Sequence, residues 1–501
     1  MLKAGGWVFF GILLGRIVGF VRDLLVAHRF GASLPADMAV LAISVPDTLL
    51  NIIVGGSMGA ALIPEFKRLS PAAASSLRMQ ASQRVALTFI PLAAVLALAA
   101  PWLVRVFAPG FQSGAIPESA LLLRIVLWAI PLTALVAIDR AFLQAHGNFS
   151  ISSMSTFVYN GALVVGLLIP AGSRQLEVLS VSAVCGAALN FGIQRLVALR
   201  YQSSDGQDHR HLVDRSLLIR YSQAFMAGGL IILMPTVARA VGSLQGKGNL
   251  AVLNYSLKLV ELPLGVVLTV FSVVLFPTLA GMFAQHSSLD HGVKIARAGL
   301  RIVLIMAAAI AFPAAYFATD FARALFRHGA LTDAAAVEMG HLSRIALIGM
   351  AGQAMYSILL AVLNAMRDMR TPFFGSIGAV CVYIPLALLF RTWLGTPGIV
   401  FAVVAVYWTL FIGQLLVAER MHKINLHSVL IEPGTLLALA ACFGVFVPIA
   451  LLAPHLPQHA WQRVLIALFA MLVCALTGIL AVGDHRRKLM SRLGRATPTA
   501  S

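Results

Sequence analysis

Charge is what this sequence is short of. Only 11% of its 501 residues are Asp, Glu, Lys or Arg, against roughly 25% in soluble domains, and that excludes a soluble globular chain. Acid is the scarcer sign: 19 Asp and Glu stand against 37 Lys and Arg, a formal net charge of +18. The four cysteines, Cys185, Cys381, Cys442 and Cys474, stand singly in apolar stretches with no disulfide or metal-ligand spacing. A GxxxxGK[ST] loop is missing, and GSLQGKGN at 242–249 has the wrong spacing, so no nucleotide chemistry is expected. No sizeable outside loop exists to carry the carboxylates of an integral-membrane glycosyltransferase or ligase, so the chain is not expected to be an enzyme or to hold a cofactor or metal. The N-terminus does not read as a cleavable signal, because Arg16 interrupts its apolar core.

What fills the chain instead is apolar runs of membrane-crossing length. About fourteen are present, each long enough for a hydrocarbon core of about 30 Å. They begin at 5–28 and 36–64, continue through spans such as 119–145, 150–172, 217–242, 249–283 and 334–366, and end at 433–455 and 462–482. The excess of basic residues follows the positive-inside rule rather than a nucleic-acid partner. Alternate connections carry Lys67, Arg68, Arg78 and Arg84, then Arg195, Arg200, Arg210 and Arg215, then Lys294 and Arg297, Arg367 and Arg370, and Arg420 and Lys423. The tail adds Arg486, Arg487, Lys488, Arg492 and Arg495. Both termini are therefore expected in the cytoplasm.

A same-direction repeat divides the chain. LLLRIVLWAI (121–130) is similar to HLSRIALIGM (341–350), and FLQAHGN (142–148) to VLNAMRD (362–368) at the same offset. AALIPEF (60–66) is similar to VVLFPTL (273–279). An offset of six spans keeps the two halves the same way up, as in transporters that rock two bundles about a central site. The expected architecture is an all-α polytopic membrane protein of about 14 transmembrane helices. It comprises a six-helix lobe at 1–200, a cytoplasmic linker at 201–216, a second six-helix lobe at 217–424, two extra helices at 425–483 and a basic tail at 484–501.

Charges inside the spans carry the functional reading. Arg16, Arg22 and Asp23 interrupt GILLGRIVGFVRDLLVA (11–27). A charge at bilayer depth costs about 2.5–3.5 kcal/mol on insertion scales, so it faces a wet cavity or a partner. Arg16 and Asp23 share a helix face, and Arg22 is turned about 120° away. Two arginines outnumber one acid, which favours cavity lining over a self-satisfied Arg–Asp pair. Gly11, Gly15 and Gly19 form a small-residue stripe that suits close helix packing. Asp47, Asn51 and Gly55 make a polar stripe in the second span, with Asp37 at its outer end; Asn51 is equally suited to an interhelical hydrogen bond. Asn254, Lys258 and Glu261 make a similar stripe in the eighth span, where a Lys258–Glu261 salt bridge is the plain alternative to substrate contact. Arg124, Asp139, Arg140 and Arg344 lie nearer span ends, where snorkelling accounts for them. Arginine forks bind phosphate oxygens bidentately, so this set suits a phosphate or pyrophosphate headgroup. Movement is then driven by a coupling ion, by membrane potential or by the substrate's own gradient. An exporter of small cationic drugs would want acids where this chain has bases.

Several segments resemble the MviN/MurJ family of lipid II flippases, within the multidrug/oligosaccharidyl-lipid/polysaccharide exporter superfamily. They are GRIVGFVRD (15–23) with FGAS…AD (30–37), FAPGF (107–111), YSLKLVELPLGVV (255–267), LFRHGALT (325–332) and RDMRTP (367–372). The resemblance implies a bacterial inner-membrane protein. It implies that a polyprenyl-pyrophosphate glycolipid is carried from inner to outer leaflet by alternating access, and that the two extra helices make a lipid-accessible groove. It places Arg16, Arg22 and Asp37 at the central cavity. The chain departs from the family pattern at Leu50 and Asn51, where the family has an arginine pair, at Gly55, where it has an acid, and at Leu257 and Lys258, where it has aspartate and arginine. These departures keep a flippase for an exopolysaccharide or O-antigen repeat unit as the alternative. The expected substrate-binding set is Arg16, Arg22, Asp37, Asn51, Lys258 and Glu261.

Overall fold

A computed structural model describes residues 2–53, 57–204, 230–274, 289–366, 368–455 and 459–482, with scattered positions between 213 and 225. Every described regular element is a helix, as required where a backbone without water must satisfy its own polar groups. Among the described residues, nine segments are long and apolar enough to cross a membrane. They coincide with nine of the sequence spans. The other five fall on Leu2–Phe30, on Leu34–Ile53 followed by Ser57–Arg68, on the shorter Ser155–Leu168, on Met234–Ser243 and on Asn249–Val274. Much of the 217–242 span, the 275–283 end of the 249–283 span and most of the 201–216 linker lie outside the described residues, as does the tail.

Two compact units are present. The first comprises Met1–Tyr255 with His328–Thr332 and Ser376–Ile384; the second comprises Ser256–Arg327, Asp333–Gly375 and Pro385–Ser501. In the first unit the glycine stripe of Leu2–Phe30 lies against the segment 149–168. A Cβ on Gly11 would stand 2.3 Å from the Ser153 hydroxyl, one on Gly15 2.9 Å from Thr156 Cβ, and one on Gly19 3.0 Å from Asn160 Nδ2. The helix stops at Gly31, whose φ of +63° is the left-handed terminator that glycine adopts without steric cost.

In the second unit Asp333–Ala365 is the central helix, with one side buried along most of its length. Gly340 packs on Thr319, Gly349 on Val404 and Gly352 on Trp408. The two C-terminal helices, Pro433–Leu452 and Ala460–Ala481, pair with each other and with Leu289–Tyr316 around Ile305, Ala438, Cys442 and Cys474. The Cys442 and Cys474 thiols donate to each other's backbone carbonyls at 3.2 and 3.4 Å, so these cysteines are packing residues with satisfied S–H groups.

The internal repeat has a counterpart in burial. Residues 121–130 and 341–350 share the same order of buried, half-buried and exposed positions, with Arg124 and Arg344 both exposed. The repeat also shares a helix cap. Asn148 Oδ1 accepts from the Ile151 amide at 3.4 Å, and Asp368 Oδ1 accepts from the Thr371 amide at 3.0 Å. Each capping residue also ties to the far end of a later helix: Asn148 to Tyr201, just past Gln175–Leu199, and Asp368 to His422, the last residue of Thr396–His422.

Candidate substrate-binding site

Asp139 was expected to snorkel; the structure buries it completely instead. It accepts from Arg78, itself fully buried, at 3.1 Å and from Arg195 at 3.4 Å. The ring of Phe142 lies under the Arg78 guanidinium at 5.1 Å. Helix packing brings Arg78 and Arg195 inward from positions that read in the sequence as loop charges. This cluster braces the fold of the first unit and is not a free cation site.

Arg22 is the other buried base. Its Nε and Nη2 donate to Asp23 Oδ1 at 3.1 and 2.9 Å, and its Nη1 donates to Asn160 Oδ1 at 2.8 Å. Asn160 reaches it because the glycine stripe lets the two helices approach; the Asn160 amide also donates to Gly15 O at 3.4 Å. Asp47 adds its field to that of Asp23 at Arg22. Asp23 Oδ2 is buried with no hydrogen-bond donor among the described residues. The internal Arg–Asp pair is therefore formed, and its charge is locally balanced.

Arg16 lies on the other side of the same helix. It is exposed, as are Phe10, Leu13, Ile17 and Val21 along that strip, and it forms no ion pair among the described residues. The sequence placed Asp23 on Arg16's face, with Arg22 turned away; the structure instead buries Asp23 beside Arg22, because the Arg22 guanidinium bends back to its neighbour's carboxylate, and leaves Arg16 exposed.

Asp37 is 1% exposed and has a structural task. Its two oxygens accept from the backbone amides of Gly248 at 2.6 Å and Ala251 at 2.7 Å. It thereby satisfies the amide just before Asn249–Val274 and one orphan N–H of its first turn, and places a negative charge at that helix's positive end. Gly248 has φ +86°, and a Cβ there would meet the Ala32 backbone at 2.5 Å, so the turn at 242–249 is fitted to the loop that precedes Asp37.

Asn51 is exposed on Leu34–Ile53. One turn earlier Thr48 meets Thr236, hydroxyl to hydroxyl at 2.8 Å. Arg239 donates to Thr236 Oγ1 at 3.1 Å and to Asn254 Oδ1 at 3.2 Å. The sequence reading passed over Arg239. Its signal was available: it lies one turn from Thr236 in an apolar run, and only the neighbouring helices show which way it turns. Lys258 and Glu261 belong to the second unit and pair with each other at 2.5 Å across one helical turn. The first unit therefore gathers two hydrogen-bonded sets drawn from five helices: Arg22, Asp23 and Asn160 in one, and Thr48, Thr236, Arg239 and Asn254 in the other. Arg16 and Asn51 present exposed polar groups, and Asp37 acts as a cap.

The family model described as "Lipid II flippase MurJ" matches residues 26–473. The "Lipid II flippase MurJ" of Burkholderia cenocepacia is 24% identical over 385 residues, covering 74% of each chain. The "Probable lipid II flippase MurJ" of Vibrio cholerae is 24% identical over 506 residues, covering 96% of this chain and 94% of the relative. Among solved structures, "Lipid II flippase MurJ, inward closed conformation" superposes with a TM-score of 0.76 at 18% identity, covering 95% of this chain and 98% of that one. A Vibrio cholerae MATE transporter, VcmN, gives 0.60 at 16% identity over 85% of this chain and 98% of that one. With buried charges inside multi-pass apolar helices and a family model spanning most of its length, the chain belongs to the MurJ family, whose members are membrane transporters and not enzymes.

Proposed function

We propose that this protein flips an undecaprenyl-pyrophosphate-linked glycan, lipid II first among them, from the inner to the outer leaflet of a bacterial inner membrane by alternating access. Its working parts are six-helix lobes at 1–200 and 217–424, with the helix pair 425–483 beside them and both termini cytoplasmic. The observation that carries this reading is Arg16. It is a permanently charged fork in the middle of an apolar helix, exposed, and without an acid among the described residues. Such a group is costly unless water or an anion meets it. Arginine supplies the paired donors that a pyrophosphate accepts. Arg22, Arg239 and Lys258 are charges already partnered, which tune the field rather than grip the headgroup.

A second reading, a flippase for an exopolysaccharide or O-antigen repeat unit, draws on Leu50 and Asn51. The exposed Asn51 stands where the family pattern has an arginine, so the glycan-binding surface carries less positive charge. Expression in a strain depleted of its lipid II flippase tests the two. Restored growth and cell shape support lipid II. Failure there, with rescue of a strain lacking a repeat-unit flippase, supports the second reading.

A further inference from the structure

Ala129–Ala145 is the most enclosed helix of the first unit. Ser57–Arg68, Pro71–Leu98, Phe149–Ser153 and Gln175–Leu199 pack around it. Phe142 meets Phe66 edge-on at 5.3 Å, and Asp139 takes Arg78 and Arg195, so three of those neighbours are fastened to it. No residue from 129 to 145 is exposed, so no side of this helix lies against lipid as Leu87, Val95 and Leu98 of Pro71–Leu98 do. One strip is nevertheless half-open: Thr133, Ala137, Arg140 and Gln144. At 100° per residue these four fall within about 60° of one another. The remaining half-open positions, Leu132, Leu135 and Ala145, are apolar and point elsewhere. A strip with threonine, arginine and glutamine, sunk between neighbouring helices, faces a recess open to water rather than the lipid-facing side on which an arginine snorkels.

Arg140 is the charge in that recess. Its Nε is buried with no hydrogen-bond acceptor among the described residues, and no carboxylate there offsets its charge. Asp139, the acid next to it in sequence, is turned about 100° away and already holds two arginines. An unmatched charge inside a span is costly unless water or an anion meets it. Its depth differs from that of Arg16. Arg140 is five residues from the last residue of its helix, about 8 Å. Arg16 is fourteen residues from the first residue of Leu2–Phe30, about 21 Å. With both termini cytoplasmic these are the inner ends of the two helices, so Arg140 stands about 13 Å nearer the inner surface.

Resting on the flippase reading, we propose that Arg140 is the entry site for the carried lipid's pyrophosphate, which its fork takes from the inner leaflet before Arg16 holds it at mid-depth. The unmatched guanidinium supplies paired donors for phosphate oxygens. Gln144, one turn nearer the inner surface, adds an amide on the same strip, and Thr133, two turns deeper, adds a hydroxyl on the way to the depth of Arg16.

Leaflet transfer by the purified full-length protein, in liposomes holding labelled lipid II at a series of densities, tests this. Arg140→Gln is expected to need about tenfold more lipid II for its half-maximal rate, the order of one lost charge-assisted hydrogen bond, while its maximal rate stays within about twofold of wild type. Arg140→Lys should fall between. An unchanged half-maximal density in Arg140→Gln would overturn the entry site and leave the flippase reading standing. Wild type that transfers neither lipid II nor a lipid-linked repeat unit would remove the flippase reading, and the entry site with it. A second measurement needs no variant to fold: a polyprenyl diphosphate with its photoreactive group beside the diphosphate, applied to the wild-type protein. Adducts within residues 133–144, displaced by lipid II but not by inorganic pyrophosphate or phosphatidylglycerol, are expected. Adducts that spare this strip, or that either competitor displaces as well as lipid II does, would overturn the assignment.

Discussion

Arg16 and Arg22 sit six residues apart on one helix and do opposite work. Arg22 is buried, and its pair with Asp23 replaces the water it lost. Removing one member of a buried pair leaves the other charge unmatched, at about 3–5 kcal/mol. Arg22→Ala is therefore expected to lower the thermal stability of the detergent-purified protein sharply, while Arg16→Ala leaves it nearly unchanged. Fluorescence-detected thermal melts of the two variants side by side check this; equal melting temperatures would mean the pairing has been misjudged. Asp37 makes a third case. Its carboxylate serves two amides at the start of Asn249–Val274, so Asp37→Ala is expected to cost about 0.5–2 kcal/mol, as other lost N-caps do. Proteolysis should then quicken at the 244–249 turn. The sequence announced that these residues mattered, because charge in an apolar span is rare. It did not announce Asp37's role, since its partners are backbone amides more than two hundred residues away, nor Asp139's, whose two arginines come from other helices.

Helices were the more legible scale. Apolar run length located the described spans closely, and the repeat between 121–130 and 341–350 reappears as one order of burial. The glycine stripe at Gly11, Gly15 and Gly19 reads as close packing in both sequence and structure, because a four-residue spacing keeps small residues on one face. Gly15→Leu is expected to destabilise by roughly 1–3 kcal/mol through overpacking against Thr156, whereas Gly161→Ala, with nothing within 4 Å of the added Cβ, should be tolerated. Near-equal melts for these two would remove the stripe from the account. The Asp368 tie, by contrast, was not legible, because it needs His422 from the end of Thr396–His422, two helices on. Burial pushes the Asp368 carboxyl up, but hydrogen bonds from the Thr371 side chain and amide and from His422 outweigh it and hold the carboxyl below its ordinary value near 3.8. A group lowered on folding adds stability above that ordinary value and loses it as pH falls through the lowered one. Wild-type stability should thus drop as pH falls below about 4, and Asp368→Asn should flatten that part of the profile. An unchanged slope in the variant would remove Asp368 from the acid response.

At the scale of the whole molecule the charge balance is the argument. A chain with few acids pairs some of its span-buried bases internally, as at Arg22 and Arg78, and leaves Arg16 exposed with no acid among the described residues. Membership of the MurJ family supplies the class of transporter; the departures at Leu50, Asn51 and Lys258 leave its glycan to experiment. Leaflet transfer of labelled lipid II in cells depleted of their own flippase tests the central claim most directly, with membrane levels of each variant matched. Wild type is expected to restore the outer-leaflet signal, Arg16→Ala to lose about tenfold or more of the rate, as for a lost charge-assisted hydrogen bond, and Arg16→Lys to fall between. Transfer by Arg16→Ala at the wild-type rate and normal abundance would contradict a cationic headgroup site on this helix.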